Sequence, residues 1–61
     1  MKPTVKLTGN DGNVFNVISL TKKALTMAGL GGKATEFTQK AMHAKSYDEV
    51  LLLVMEYCEV S

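Results

Sequence analysis

The sequence predicts an α+β fold: one small domain, residues 1–61, of three short helices with a two-stranded sheet joining the termini, in the order β-α-α-α-β. Three observations predict it. Residues 4–8, Thr-Val-Lys-Leu-Thr, alternate and are rich in β-branched side chains, as a short strand requires. Apolar residues then recur at helical spacing in three stretches, parted by glycines at 29, 31 and 32 and by the tetrad Ser46-Tyr47-Asp48-Glu49. Finally, a strand at one end of the chain needs a partner, because buried backbone groups left unpaired are costly. That favours a second strand at the other end.

Taken in order, Pro3 suits the first residue of an edge strand. Gly9-Asn10-Asp11-Gly12-Asn13 reads as a turn, since Asn, Asp and Gly tolerate the left-handed region and bond their own backbone. Asp11-Gly12 can instead close a hairpin onto residues 14–17. A helix is preferred there. Asn13 is a good N-cap, and Val14, Val17, Ile18, Thr21, Ala24, Leu25 and Ala28 share a helical stripe. Asn16, Ser19, Lys23 and Thr26 lie opposite. Gly29 stands where a C′ glycine belongs, with Leu30 after it for the usual hydrophobic contact.

The second helix is expected over roughly Lys33 to Ala44, with Ala34, Phe37, Ala41 and Ala44 inward and Glu36 and Lys40 paired at i,i+4. The third begins at a capping box: the Ser46 hydroxyl accepts from the Glu49 N–H while the Glu49 carboxylate reaches back to the Ser46 N–H. The run Val50 to Met55 is too wide for one stripe, so this helix needs cover on more than one side. Its end is open to two readings. Glu56 to Val60 can stay helical, or Tyr57 to Val60 can extend and pair with Val5 to Leu7; the unpaired first strand favours the latter.

A chain of 61 residues buries only about 60% of the surface its unfolded form exposes. One cysteine, Cys58, rules out an internal disulfide, and one histidine, His43, leaves too few ligands for a structural zinc. Oligomerisation or a bound partner is the remaining aid. The lone thiol and the lack of an N-terminal targeting pattern point to a cytoplasmic setting. No apolar run approaches the roughly 20 residues of a membrane span. Charge is unevenly placed. Residues 1–45 hold seven lysines against Asp11 and Glu36, a balance of +5, whereas residues 46–61 hold Asp48, Glu49, Glu56 and Glu59, a balance of −4. A basic body matched to an acidic end within one molecule accounts for this, and so does contact between copies.

The pattern Val5-Lys6-Leu7-x-Gly9-x-Asp11-Gly12-Asn13-x-Phe15, a lysine-bearing helix ending at Ala28-Gly29, and Ser46-Tyr47-Asp48 leading into Leu51-Leu52 and Val54-Met55 together resemble a family of small uncharacterised bacterial proteins often encoded on phages and mobile elements. The resemblance covers most of the chain, with the Gly31 to Thr35 connection departing from it. It implies a cytoplasmic accessory protein and carries no activity, cofactor or site residue.

No motif names a reaction. Gly29 to Thr35 has the composition of a phosphate loop but follows a helix and lacks the spacing of one. Asn10 to Asn13 offers oxygen ligands without the glutamate a calcium loop needs at its twelfth position. His43 falls on the polar face of the second helix. Cys58, beside Glu56 and Glu59, lacks the electropositive setting of a reactive thiolate and reads as a small core residue. A non-enzymatic protein without cofactors is expected. Lys22, Lys23, Lys33, Lys40 and Lys45 allow an alternative, weak nucleic-acid binding through phosphate contacts. Against it, the chain has no arginine to read guanine and no tryptophan, and Phe15 and Phe37 are expected in the core.

Met27 and Met42 read as core gap fillers. Met55 is different. On a helix it shares an outer face with Asp48, Leu52, Glu56 and Glu59, so Leu52 and Met55 form an apolar patch with an acidic rim. These five residues are the expected partner-binding site, for another protein or for self-association.

Overall fold

The termini meet as a parallel pair of strands, β1 (Thr4–Val5) and β2 (Glu59–Val60), with Thr4 opposite Glu59 and Val5 opposite Val60. Parallel strands need a long crossover, and here three helices supply it: α1 (Val14–Met27), α2 (Gly31–Met42) and α3 (Tyr47–Tyr57). The order is β-α-α-α-β, as the sequence predicts. The computed structural model describes residues 2–7 and 13–61. Thr8 and the turn expected from Gly9 to Gly12 lie outside them.

The sheet is smaller than expected, and Tyr57 stays in α3 instead of joining it. Cys58 makes the change of direction, with its N–H closing the last turn on the Val54 carbonyl at 2.7 Å and its own backbone extended. The strands are tied by Glu59 N–H to Pro3 O (2.9 Å), Ser61 N–H to Val5 O (2.9 Å) and Leu7 N–H to Ser61 O (3.2 Å).

Asn13 caps α1 through its side chain, accepting from the Phe15 N–H at 2.9 Å. The other end is a full Schellman motif. Gly29, at φ +79°, sends its N–H to Thr26 O (3.0 Å), and the Leu30 N–H reaches Leu25 O (2.9 Å). Leu30 then serves a second helix, because its carbonyl accepts from Ala34 N–H at 2.9 Å. One residue thus closes α1 and opens α2. This is why α2 starts at Gly31, two residues before the expected Lys33. It also stops early, at Met42. His43 and Ala44 fold back in tighter bonds to the carbonyls of Lys40 and Ala41, both 3.1 Å, and Ala44 sits half-buried beyond the helix.

The capping box of α3 forms with a change of partner. Glu49 N–H donates to Ser46 Oγ at 3.2 Å, but the Glu49 carboxylate accepts from the Lys45 N–H at 3.1 Å, one residue before the expected one. Asp48 and Glu49 in the first turn suit the positive end of the helix dipole.

One cluster forms the core: Val5 from β1, Val17 and Leu25 from α1, Ala34, Phe37 and Ala41 from α2, Val50 and Val54 from α3, and Cys58. Phe37, Val17 and Val54 are completely buried. Thr21 is buried among them without cost, because its hydroxyl donates to the Val17 carbonyl at 2.9 Å. Three large apolar residues expected inside lie outside: Phe15, Met27 and Met42 are 67%, 77% and 66% exposed. The helical period explains Phe15. It falls on the same edge of α1 as Ser19, Lys22 and Thr26, all exposed, and off the Val17–Thr21–Leu25 stripe.

Candidate interaction surface

α3 is buried on one side only. Val50 and Val54 face the core, Leu51, Leu53 and Tyr57 are half-buried, and the remaining face is open. On that face Leu52 and Met55 are 59% and 50% exposed, with Asp48 and Glu56 exposed beside them. Four of the five residues singled out in the sequence, Asp48, Leu52, Met55 and Glu56, therefore share one helical face, whereas Glu59 leaves it, because α3 ends at Tyr57 and the chain extends into β2. The wide apolar run is covered by the core on one side, and Leu52 and Met55 on the other stay exposed among the described residues. Two exposed apolar side chains three residues apart form a continuous patch. Beside Leu52, Lys40 and His43 line a hollow together with Glu49 and Glu56, so the rim carries both signs of charge.

Lys2 fixes the far end of this helix. Its Nζ donates to the Met55 carbonyl at 2.8 Å. α3 has no base in its own last turn, so the first strand brings a cation to the negative end of the helix dipole.

Behind α3, a cleft of about 360 Å³ is lined by Lys2, Lys33, Glu36, Lys40, Glu56 and Tyr57, among others. The Tyr57 hydroxyl donates to the Glu36 carboxylate, Lys40 Nζ lies 3.8 Å from the same carboxylate, and Phe37 packs edge-on to the Tyr57 ring at 5.6 Å. The bond from Tyr57, then the charge of Lys33, holds the Glu36 carboxyl below its ordinary value of 4.5. Burial, then the bond to Glu36, pushes the Tyr57 hydroxyl above 10.0. The cluster ties α2 to α3 and places carboxylates among its lysines.

A second hollow, about 560 Å³, lies between the start of α1, the end of α2 and the start of α3. Val14, Phe15, Ile18, Met42, Tyr47 and Val50 line it, with Lys45 the one charged residue among the described residues of its wall. Sequence reasoning missed this groove. The signal was present: Phe15 stands among polar neighbours on its helical edge, as Leu52 does.

The five candidate phosphate-binding lysines are all exposed but do not form one track. Lys33 and Lys40 line the cleft with Glu36 and Glu56, Lys45 lines the apolar groove, and Lys23 lines a third hollow with Leu20 and Met27. His43 is exposed at the C-terminal end of α2, whereas Cys58 is 1% exposed in the core, so the structure does not assemble them as base and nucleophile. Burial raises the Cys58 thiol above its ordinary value, with Lys2 opposing. Gly31, Gly32 and Lys33 are the first turn of α2, following α1, and not a strand-borne phosphate loop. Among the described residues, no group of three or more His, Cys, Asp or Glu could hold a metal ion, and no helix is long and apolar enough to cross a membrane. Compared with protein-family models, curated proteins and solved structures, the chain gives no match.

Proposed function

We propose that this chain is a non-enzymatic accessory protein that acts by binding another protein through the outer face of α3. One observation carries the reading: Leu52 and Met55, 59% and 50% exposed, stand beside Asp48 and Glu56 on a helix whose other side is core. An interface built on them is apolar at its centre and charged at its edge, the usual anatomy of a protein contact. Charged groups at that edge set register and specificity more than affinity. The sequence resemblance supports a cytoplasmic role in a phage or mobile element, where a small binding protein modulates a host or element-encoded machine; that step is by analogy. The alternative, phosphate binding by lysines, draws less support, because its cations are spread over separate hollows and shared with carboxylates.

A photo-crosslinking residue placed at position 52, with position 39 on the exposed side of α2 as control, tests this in bacterial cells. A discrete protein adduct at 52 and none at 39 is expected. Adducts to nucleic acid alone, or none at 52, would overturn the reading.

A further inference from the structure

The strand pair leaves one edge open beside a helix. Pro3 O and Val5 O accept from the N–H groups of Glu59 and Ser61, and the Leu7 N–H donates to Ser61 O. Backbone groups alternate sides along a strand, so the N–H and C=O of Thr4 and Lys6 point to the other edge of β1. Both residues are exposed, and among the described residues no third strand pairs there. A proline often blocks an edge, but Pro3 faces β2, so its missing N–H falls on the paired side.

α1 stands beside this edge. β1 contacts α1 and not α3, whereas β2 contacts α3 and not α1, so β1 lies between β2 and α1. A hollow of about 440 Å³ separates strand from helix, with Thr4, Val5 and Lys6 on one side and Leu20, Lys23, Ala24 and Met27 on the other. Leu20 and Ala24 are half-buried there, and Met27 is 77% exposed. Lys6 and Lys23 are the charged groups among the described residues of the lining, and both are basic. Glu59 is on the paired strand, across β1 from the helix.

One kind of occupant matches all of this. Open strand backbone is satisfied by another extended backbone, and an apolar wall beside it takes every second side chain of the added strand. A helix spends its backbone groups on itself and cannot use the edge. A second copy pairing edge to edge would bring Lys6 and Lys23 of both chains together.

We propose that the trough between β1 and α1 receives an extended, acidic segment of another protein. The segment pairs with Thr4 and Lys6, sets alternate aliphatic side chains against Leu20, Ala24 and Met27, and places a carboxylate by Lys6 and Lys23. This contact is separate from the outer face of α3 and does not rest on it.

Selection of a displayed library of random linear peptides, about eight residues long, on the immobilised full chain tests it. Enriched peptides should alternate aliphatic and acidic residues and lack a central proline. In the free chain the Thr4 and Lys6 amides should exchange hydrogen rapidly, and the leading synthetic peptide should slow them about tenfold. Methylating a peptide amide on the pairing side should weaken binding about fivefold, one hydrogen bond's worth, and methylating its neighbour should not. Lys23→Glu with Met27→Gln, native by circular dichroism, should weaken binding at least about tenfold. Leu52→Lys with Met55→Lys should leave it unchanged. Should the trough variant unfold, the methylated peptides decide. No enriched peptide, amides at 4 and 6 already protected in the free chain, or binding indifferent to methylation or to the trough variant would overturn the proposal. So would slowing of the same amides without peptide as the chain is concentrated, which would assign the edge to a second copy. Peptide binding lost only in the α3 variant would sink this inference and support the contact at Leu52 and Met55.

Discussion

The Lys2 ammonium donates to the carbonyl of Met55 at 2.8 Å, joining the first strand to the last turn of α3 across 53 residues of sequence. With Ser46 at the other end, α3 is held by a local cap and a remote one. Ser46→Ala should cost about 1 kcal/mol, the usual loss for an N-cap oxygen. Lys2→Met should cost about 0.5 kcal/mol at low salt and less at high salt, as an exposed charge at a helix end does. Thermal melts at two ionic strengths check both. A salt-independent loss in the lysine variant would mean that its charge is not what holds the helix end.

The Tyr57–Glu36 bond predicts a stability difference that depends on pH. Glu36 titrates below 4.5 in the folded protein, so its contribution is present above that value and fades as pH falls through the folded one. Tyr57 titrates above 10.0, so its contribution is present below that value and is lost as pH rises through the folded one. Tyr57→Phe should therefore melt below wild type near neutral pH, with the gap narrowing at both extremes. A constant gap from pH 3 to 11 would contradict the assignment.

Phe15 and Phe37 should behave as opposites. Phe37 is completely buried, and Phe37→Ala should cost roughly 3–5 kcal/mol. A domain of 61 residues has about 3–9 kcal/mol in total, so that variant should lose at least a third of its stability. Phe15→Ala should change stability by less than about 0.5 kcal/mol, as surface changes do. Chemical denaturation of each variant measures this, and a large loss at Phe15 would place it in the core.

Much of the fold was legible because its signals are local. Asn13, Ser46, Gly29 and the stripe Val17–Thr21–Leu25 each act within a few residues, and each stands where the sequence puts it. What escaped depends on distant residues. The parallel register of Thr4 with Glu59, the Lys2 cap and the Tyr57–Glu36 bond join positions that no local pattern links. The start of α2 was placed two residues late for another reason: one residue, Leu30, ends α1 and starts α2, whereas helix signals assign those roles to separate residues. The α3 face was readable because Asp48 and Glu56 share a helical face with its apolar pair, whereas Glu59 was placed there only by extending the helix past Tyr57. Phe15, Met27 and Met42 were misplaced because residue type was weighed above helical position.

Cys58 should be chemically quiet. Buried, with its thiol raised above the ordinary value, it should react with a disulfide reagent at pH 8 more than about tenfold slower in the native protein than in denaturant. Cys58→Ala and His43→Ala should both retain biological activity, the first with a modest packing loss. Rapid native labelling, or a folded variant without activity, would contradict the non-enzymatic reading.

The central claim is that Leu52 and Met55 serve a contact and not the core. The measurement that tests it most directly is sedimentation of wild type and of Leu52→Lys with Met55→Lys, each with whichever protein is captured at position 52, and with circular dichroism on both. The account predicts that the double variant keeps the wild-type spectrum and a melt within about 1 kcal/mol of it, and no longer associates. A double variant that unfolds, or that stays folded and associates as wild type does, would contradict it.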